Sequence, residues 1–556
     1  MVDKRDSHLP DEALVERGQM LRGVGYGEEA ISRPQVGVAS SWGEINPAAV
    51  HLDRVVEAVK AGVWSAGGTP REFVISSICT SMAGQDNYHL PHRDLVAGYI
   101  ETVAQTNLLD AMVFVPVCDD VVPGHLMAAA RLNLPSVFVT GGYMQLNRHH
   151  GEPLDPLDVA PRHYEAYRAG EMGEDEFRRV LDRGCPGIGA CPVMGTANTM
   201  AAMAEALGMS LPGNTTMPGA DSALMRLAFQ SGERVVELLK ADVRPANILT
   251  PEAFENAIRV LMALGGSTNA VLHLQAIAAE LDLQIPATTF NRLSAETPFL
   301  CDVAPSGPSR HFISDLDEAG GLPAVMKELQ PLLAVDCMTV TGKTLGENLE
   351  LAMQGDRRVI RSIEAPLSRD GGLIFLQGNL APGGALIKKS AVPAAMLCHQ
   401  GPARIFATEE EACDVLHRDE LDAGDVVVVR YRGPRGDPGM RLLQRFLWLL
   451  EAKGLHDRIA FLTDGRISGT NKGCAVVHIA PEAAVGGPIA LIQEGDRIEI
   501  DVVRQRLTLL VPDEELAERK RNWRPPTQEI RKGYLAIYAR TAKSAESGAG
   551  LDYGSE

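Results

Sequence analysis

The sequence predicts an α/β protein with an N-terminal α/β domain, built on a mainly parallel sheet, and a C-terminal β-barrel domain. Three observations predict this fold class. Between residues 35 and 142, short β-rich runs alternate with helical stretches, which is typical of a parallel sheet covered on both faces. From about 160 to 330 the chain is rich in helical patterns with apolar residues at i, i+3 and i+4. Beyond about 335, turn residues separate many short β-runs, which favours a barrel.

These changes in pattern also suggest domain boundaries. We expect an N-terminal α/β domain over 1–365 and a C-terminal β-barrel domain over 366–535. The last stretch, 536–556, contains AKSAESGAGLDYGSE, which is small and polar, and it is predicted to be a mobile tail.

The N-terminal strands and helices alternate in a regular order. Asn46-Pro47 is predicted as the N-cap and first helical residue of the first crossover helix. In open parallel sheets, ligands bind where strands end and helices begin. The following loops should therefore line one crevice: those after Ser40, Ser77, Val117 and Thr140.

Composition excludes several classes of function. The 556 residues include 53 Lys+Arg and 72 Asp+Glu, a formal net charge of −19, which argues against nucleic acid or an anionic membrane as a partner. With 45% hydrophobic and 22% charged residues the chain is globular in composition. Its start is polar, no long apolar run follows, and nine cysteines do not resemble a secreted disulfide framework. We expect a soluble, cytoplasmic protein.

The first motif that carries chemistry is VCDDVVPGHLM, in which Cys118, Asp119 and Asp120 lie between a strand and a helix. A thiol beside two carboxylates at a strand end suits a metal or a metal cluster. The alternative is a buried structural cysteine followed by two acids that cap a helix.

Two further loops stand out. Cys191 lies in GIGACPVMG, a small-residue loop that precedes a helix beginning near Ala197. Ser468 lies in FLTDGRISGTNKG, a glycine-punctuated loop that leaves a strand. Its hydroxyl can serve as a nucleophile or base, or it can belong to an ordinary Asp-Gly turn.

With these three motifs in this order, the chain resembles the dihydroxy-acid dehydratase and phosphogluconate dehydratase family from about residue 17 to 525. Supporting stretches are RPQVGVASSW, LGGSTNAVLHLQAIA, GNLAPGGALIKKSAV, VVVVRYRGPRGDPGMR and APEAAVGGPIAL. The resemblance implies the same two-domain fold, a homodimer and a small hydroxylated carboxylic acid as substrate. It also implies an iron–sulfur cluster on three cysteines, Mg²⁺ at the substrate carboxylate, and a serine alkoxide that removes the C2 proton before water leaves to give a 2-oxo acid.

This chain departs from the family pattern at the site. Ala48 stands where the family has a cluster cysteine, whereas Cys118 and Cys191 keep the other two places. On the magnesium side, the departures are Ser77 for a ligand aspartate, Asp120 for a carbamylated lysine and Arg432 for a glutamate, and Asp119 alone is retained.

The magnesium-side changes predict a rearranged site. We expect an ion-pair network in place of Mg²⁺, in which Arg432 pairs with Asp119 or Asp120 and also binds a substrate carboxylate. Lys472 can act as the local cation that activates Ser468.

The cluster is expected to be lost or altered, with two rearrangements open. Cys79, next to Ser77, can supply a third thiolate. Alternatively, imidazoles beside Asp119 and Asp120 can bind Zn²⁺ or Fe²⁺, the histidines in reach being His89, His92 and His125.

Two hypotheses about function follow. The first is a divergent hydro-lyase that acts on a small hydroxylated acid by C2 proton abstraction, with an enolising isomerase as a variant of the same chemistry. The second is a catalytically silent paralogue that binds a ligand or a partner subunit.

Overall fold

The structure is a computed structural model that describes residues 11–79, 82, 87–305, 308–309, 311–467, 472–527 and 530–554. Ser468 and residues 80, 81 and 83–86, beside Cys79, lie outside the described residues.

The N-terminal sheet is parallel, as predicted. Its strands are β1 (Gln35–Ser40), β2 (Thr69–Val74), β3 (Ala111–Val115) and β4 (Ser136–Phe138). Their order is β2-β1-β3-β4, and each neighbouring pair is parallel. Every residue of β1 and β3 is buried, which fits a sheet covered on both faces. All four strands therefore end at one edge of the sheet.

Helices cover this sheet and form the rest of the N-terminal part. They are α1 (Asp11–Gly23), α2 (Glu28–Ser32), α3 (Leu52–Ser65), α4 (His89–Thr106), α5 (Val121–Leu132), α6 (Glu165–Arg168), α7 (Glu174–Gly184), α8 (Thr196–Ala206), α9 (Ser222–Ala241), α10 (Pro245–Ile248), α11 (Pro251–Leu264), α12 (Asn269–Ala279), α13 (Ala287–Glu296), α14 (Ile313–Glu318), α15 (Gly321–Leu329) and α16 (Leu345–Glu350). A short antiparallel hairpin joins β5 (Asn147–His149) to β6 (Glu152–Leu154).

Local sequence explains the ends of the buried helix α11. The Thr250 hydroxyl accepts a hydrogen bond from Ala253 N, and Pro251 occupies the first helical position. Gly265 ends the helix at φ 57°, a conformation that favours glycine.

Asn46-Pro47 does not begin α3, contrary to the sequence prediction. The helix begins at Leu52, because the Asn46 side chain accepts from Ala48 N (3.0 Å) and closes a turn instead. Residues 46–51 therefore form a loop at the edge where the strands end.

The C-terminal part is an eight-stranded barrel-like sheet, as predicted. Its strands are β7 (Ile374–Leu376), β8 (Gly384–Ile387), β9 (Cys398–Phe406), β10 (Val426–Val429), β11 (Ala460–Thr463), β12 (Ala475–Ala480), β13 (Arg497–Asp501) and β14 (Arg506–Leu509). Their order is β14-β13-β9-β10-β11-β12-β8-β7. A bridge between Gln377 and Arg506 links the two outer strands, so the sheet curls towards closure. The helices of this part are α17 (Glu409–His417), α18 (Arg445–Ala452), α19 (Asp513–Asn522) and α20 (Tyr534–Thr541).

The segment 536–551 is packed, so the predicted mobile tail is wrong over these residues. The small residues permit close approach: Ala542 and Ala549 are fully buried. The hydroxyl of Tyr538 donates to Ala549 O (2.6 Å), and Arg93 of α4 donates to Gly548 O (3.0 Å). Small polar composition here reflects tight packing and not mobility. Within the described part of the chain, no helix combines the length and apolarity needed to cross a membrane.

Candidate active site

Hydrogen bonds tie together the loops at the carboxyl edge of the N-terminal sheet. Asn46 Nδ2 donates to Ser77 Oγ (2.9 Å), and Ser77 Oγ donates to Val117 O (3.2 Å). His51 Nε2 lies 2.8 Å from Gly141 O. The structure thus brings together the four loops that the sequence predicted to line one crevice.

Three cysteines, which we name the thiol group, converge at this edge: Cys79, Cys118 and Cys191. Cys79 and Cys118 are hydrogen-bonded through their side chains, and Cys191 is within electrostatic reach of both. All three are partly buried and free of disulfide bonds. Cys118 has φ 81°, an unusual conformation for a residue with a side chain, which is often found at functional sites.

The third thiol is positioned by the start of α8. Asn198 Nδ2 donates to the carbonyl oxygens of Cys191 (2.6 Å) and Val193 (2.8 Å), which holds the loop against the helix. The same loop reaches Ala48, whose carbonyl accepts from Gly189 N (3.3 Å). Helix α8 begins at Thr196, one residue before the predicted start.

The chemistry of the thiol group suits an inorganic cluster. A small pocket borders Cys118 and is walled by small residues that include Gly141, Gly142 and Ala190. The hydrogen bond with Cys79, together with burial, raises the pKa of Cys118 well above its usual value, and burial raises that of Cys191. Thiolates at such a site need a metal to compensate their charge, and iron–sulfur clusters are bound by cysteine thiolates. The thiol group therefore fits the cluster that the resemblance implies.

Beside the thiol group lies a buried ionic centre, the Asp120 cluster: Asp120, Arg466, His89 and His273. Arg466 Nη1 lies 3.3 Å from Asp120 Oδ1, and its Nη2 lies 3.3 Å from Oδ2. His89 Nδ1 is 2.8 Å from Oδ2, and His273 Nε2 is 3.1 Å from Oδ1. These four side chains are at most 3% exposed. Asp120 occupies the N-cap position of α5, but its side chain makes no capping hydrogen bond and contacts the other members of the cluster instead.

The charges of the Asp120 cluster favour an ionised carboxylate. Burial alone would raise the pKa of Asp120, but Arg466 and the contacts with His273 and His89 outweigh it and hold the pKa well below its usual range. Burial lowers the pKa of His273 to about 4, so this imidazole is neutral at pH 7. Arg93 Nη1 lies 3.3 Å from His273 Nδ1, which can accept from the guanidinium, and His273 Nε2 lies 3.1 Å from Asp120 Oδ1.

Asp119 is the carboxylate between the two groups. Burial raises its pKa to about 6, with Asp120 and Cys79 acting in the same direction and with His89 and Arg466 opposing. It is the one magnesium-side ligand retained in the sequence, and the structure places it within electrostatic reach of both groups.

The predicted pairing of Arg432 with Asp119 or Asp120 is wrong. The backbone N–H of Arg432 donates to Asp464 (2.8 Å), and this fixes the loop so that the side chain reaches Asp437 (3.2 Å) and the carbonyl oxygen of Ala407. These partners engage Nη1 and Nη2 of the guanidinium, whereas its Nε has no hydrogen-bond partner among the described residues, and the binding of a substrate carboxylate by Arg432 stays a prediction. Arg466, from the TDGRISG loop, supplies the positive charge instead.

The residues present do not fit Mg²⁺ at the position that the resemblance implies. Ser77 Oγ is fully buried and hydrogen-bonded to Asn46 and Val117. Both oxygens of Asp120 are in contact with cations or imidazoles. Asp119 alone is left, and one carboxylate next to a guanidinium is a poor site for a hard dication.

The other cation predicted for this site, Lys472, is also committed elsewhere. Its ammonium group lies 2.6 Å from Glu451 of α18, which compensates its charge. The prediction that Lys472 activates Ser468 is therefore not supported, and Ser468 itself lies outside the described residues.

The histidine alternative is not supported either. His89 contacts Asp120, whereas His125 Nδ1 contacts Val121 O (2.8 Å), and burial lowers the pKa of His92 and of His125 to about 4. Over the described ranges, the one group of three metal-ligand side chains within 4.8 Å of one another lies on the hairpin and α7: His149, His150 and Glu176.

Sequence reasoning missed Arg466 and His273. Arg466 stands two residues before Ser468, in a motif that predicts a role only for the serine hydroxyl, and His273 stands in the LGGSTNAVLHLQAIA stretch. The available signal was that both lie in stretches that resemble the family. Their pairing with Asp120 joins segments about 150 to 350 residues apart in sequence, so local pattern cannot reveal it.

Comparison with known proteins identifies relatives over nearly the whole chain. Two family models match: dihydroxy-acid/6-phosphogluconate dehydratase N-terminal over 33–348, and the C-terminal counterpart over 358–549. The dihydroxy-acid dehydratase of Acetivibrio thermocellus is 46% identical over 556 residues, covering 99% of each chain. That of Moorella thermoacetica is 47% identical over 538 residues, 96% of this chain and 97% of its own. That of Ignicoccus hospitalis is 45% identical over 554 residues, 99% of each.

Proposed function

The chain belongs to the dihydroxy-acid/6-phosphogluconate dehydratase family, a family of hydro-lyases, and from this premise we propose how it acts. It is a lyase that converts hydroxy acids into 2-oxo acids. The finer proposal is a C2 proton abstraction from a small dihydroxylated carboxylic acid, followed by loss of the C3 hydroxyl as water. The resulting enol tautomerises to the 2-oxo acid, so that atoms balance as substrate minus one water.

The observation that carries the proposal is the position of the thiol group beside the Asp120 cluster at one strand edge. The reaction needs positive charge at both ends, because a C2 proton is weakly acidic and hydroxide is a poor leaving group. An iron–sulfur cluster held by Cys118 and Cys191 would supply a Lewis acid for the leaving hydroxyl when bound. On the other side of the site, the chain itself contributes the buried Asp120 cluster, which is rigidly held and excludes water.

Ser468 is the proposed base. Arg466, two residues earlier, is anchored to Asp120 and donates through Nε to Met440 O (2.7 Å), and Ile467 is fully buried. These contacts fix the start of the serine loop within electrostatic reach of Asp119, and we propose that the substrate binds with its C2 proton on this side of the site. No step of this proposal uses Mg²⁺, since the residues present do not fit it.

An assay with branched 2,3-dihydroxy acids and sugar acids tests the proposal. We expect 2-oxo acid formation, measured with a carbonyl reagent, and exchange of the C2 proton with deuterated water, measured by NMR. Exchange without 2-oxo acid would identify an enolising isomerase. Neither signal with any substrate would indicate a silent, ligand-binding paralogue and would refute the proposal.

The homodimer implied by the resemblance belongs to the proposal as well. Light scattering coupled to size-exclusion chromatography should give twice the chain mass of 59.8 kDa. A single-chain mass at micromolar concentration would refute it.

A further inference from the structure

We propose that Cys79 is the third thiolate ligand of an iron–sulfur cluster in this protein, together with Cys118 and Cys191, and that it replaces the ligand lost at Ala48. The identity of the cluster rests on the proposed function. The choice of Cys79 rests on the arrangement of the loops in this chain.

The first step is the direct contact between two of the thiols. Cys79 follows β2 and Cys118 follows β3, and their side chains are hydrogen-bonded to each other. Cys191 comes from the loop before α8 and faces the same group. Thiols from three separate loops thus lie within electrostatic reach of one another, although their three sulfur atoms are not all within 4.8 Å of one another, and three such thiolates would hold an iron–sulfur cluster and leave a position for a substrate oxygen.

The second step concerns Ala48, which occupies the neighbouring loop. Its carbonyl is bonded to Gly189 N, and its methyl group is 4% exposed within the hydrophobic core. Ala48 therefore lies against the Cys191 loop, as a former ligand position should, but it brings no donor atom.

The third step is the tie between these two loops. Asn46 accepts from Ala48 N and donates to both Ser77 Oγ (2.9 Å) and Ile78 O (3.4 Å). One side chain thus fixes the Ala48 loop to the segment that leads into Cys79. Ser77, freed from any metal role, completes the tie through Val117 O, one residue before Cys118. The contacts that close the magnesium position are therefore those that hold Cys79 beside Cys118.

Anaerobic reconstitution with iron and sulfide tests the proposal without measuring turnover. The reconstituted wild type should bind iron and sulfide and show the visible absorption of sulfide-to-iron charge transfer. Cys79→Ala should lose at least about ten-fold of both, whereas the control Cys398→Ala, at an exposed thiol at the start of β9, should retain them. A wild type that binds no cluster, or a Cys79→Ala variant that keeps a full one, would overturn the proposal.

A second variant separates ligation from folding. Ala48→Cys, introduced together with Cys79→Ala, should restore iron content, because residue 48 lies against the Cys191 loop and is tied through Asn46 to the segment before Cys79. Loss of iron in Cys79→Ala with an unchanged thermal midpoint of the cluster-free protein supports the proposal, as does restoration by Ala48→Cys. Loss of iron with a lowered midpoint and no restoration overturns it, since Cys79 would then act through the fold. A full cluster that depends on Cys79 in a protein without turnover would refute the proposed function alone.

Discussion

The thiol group and the Asp120 cluster lie side by side at one strand edge, but they differ in how far their side chains are already paired. In the thiol group, Ala48 stands where the resemblance implies a ligand cysteine, and Cys79 on the adjacent loop is in contact with Cys118. In the Asp120 cluster, the guanidinium of Arg466, from the barrel, compensates the charge of Asp120. Both carboxylate oxygens are also in contact with the imidazoles of His89 or His273.

This comparison indicates which kind of metal site can gain a replacement ligand from a neighbouring loop. A soft thiolate site needs sulfur atoms at suitable distances, and a neighbouring loop can provide one. A hard dication needs several oxygen ligands of matched charge, and a fixed Arg–Asp pair cannot be opened without leaving a buried charge.

The largest expected effect comes from removing the charge at the centre of the Asp120 cluster. Asp120→Asn leaves Arg466 buried, 1% exposed, without a carboxylate, and it should lower the free energy of unfolding by about 3–5 kcal/mol. Urea denaturation followed by circular dichroism measures this loss. Glu255→Gln is the control, because its pair with Arg292 is more than 40% exposed and contributes at most about 1 kcal/mol.

Arg432→Ala tests whether Arg432 belongs to the buried network around Asp120. Sequence reasoning that pairs Arg432 with Asp120 predicts a loss as large as that of Asp120→Asn. The structure pairs Arg432 with Asp437, which also contacts Asn87 (2.7 Å) and Arg441 (3.6 Å), so the carboxylate keeps partners in the variant and the expected loss is about 1–2 kcal/mol. A loss of 3 kcal/mol or more would restore Arg432 to the buried network.

A pH-dependent effect should follow removal of the Arg466 guanidinium. In Arg466→Met the carboxylate of Asp120 still faces His89 and His273, and loss of the neighbouring positive charge raises the pKa of His273 in the folded state from about 4. Raising the folded-state pKa of His273 towards its unfolded value of 6.5 reduces the cost of protonating it, so the variant is compensated relative to wild type below about pH 6.5 and not at pH 8. The destabilisation should therefore be about 3 kcal/mol at pH 8 and about half of that at pH 5.5.

Arg430→Met is the matched control for this pH dependence. Arg430 is another partly buried arginine of the barrel, and its guanidinium donates to the carbonyl oxygens of Ile489, Ala490 and Ile492, which do not titrate. Its loss should be the same at both pH values. An equal loss of stability at pH 5.5 and pH 8 in Arg466→Met would show that His273 is not protonated in place of the lost guanidinium charge.

The sequence predicts the fold and the thiols better than the ionic network, for a physical reason. The parallel sheet and the barrel follow from local periodicity, and Cys118 and Cys191 stand at strand or helix ends that periodicity locates. The partner of Asp120 depends on how the barrel docks on the sheet. Two arginines, Arg432 and Arg466, come from neighbouring barrel loops, and the backbone bond from Arg432 N to Asp464 decides which one turns inward. No short window of sequence contains that information.

The C-terminal segment is a second case that local sequence does not predict. Its small polar residues are typical of a mobile segment, but Ala542 and Ala549 pack in a cluster with Leu90 and Leu272 from distant helices. Small side chains are compatible with a mobile segment and with a tightly packed one, and the packing surface offered by the other helices determines which of the two forms.

The smallest expected effect is that of Mg²⁺, which should not bind at this strand edge. Asp120 is engaged on both oxygens and Ser77 Oγ is hydrogen-bonded, so that Asp119 alone would have to hold the ion beside Arg466. Calorimetric titration of millimolar Mg²⁺ into the purified protein should give no saturable heat, and Asp119→Asn should give the same trace. Saturable binding by the wild type that disappears in Asp119→Asn would show that the Asp120 cluster opens to admit the ion, and the two groups would then no longer differ in whether a metal can be held.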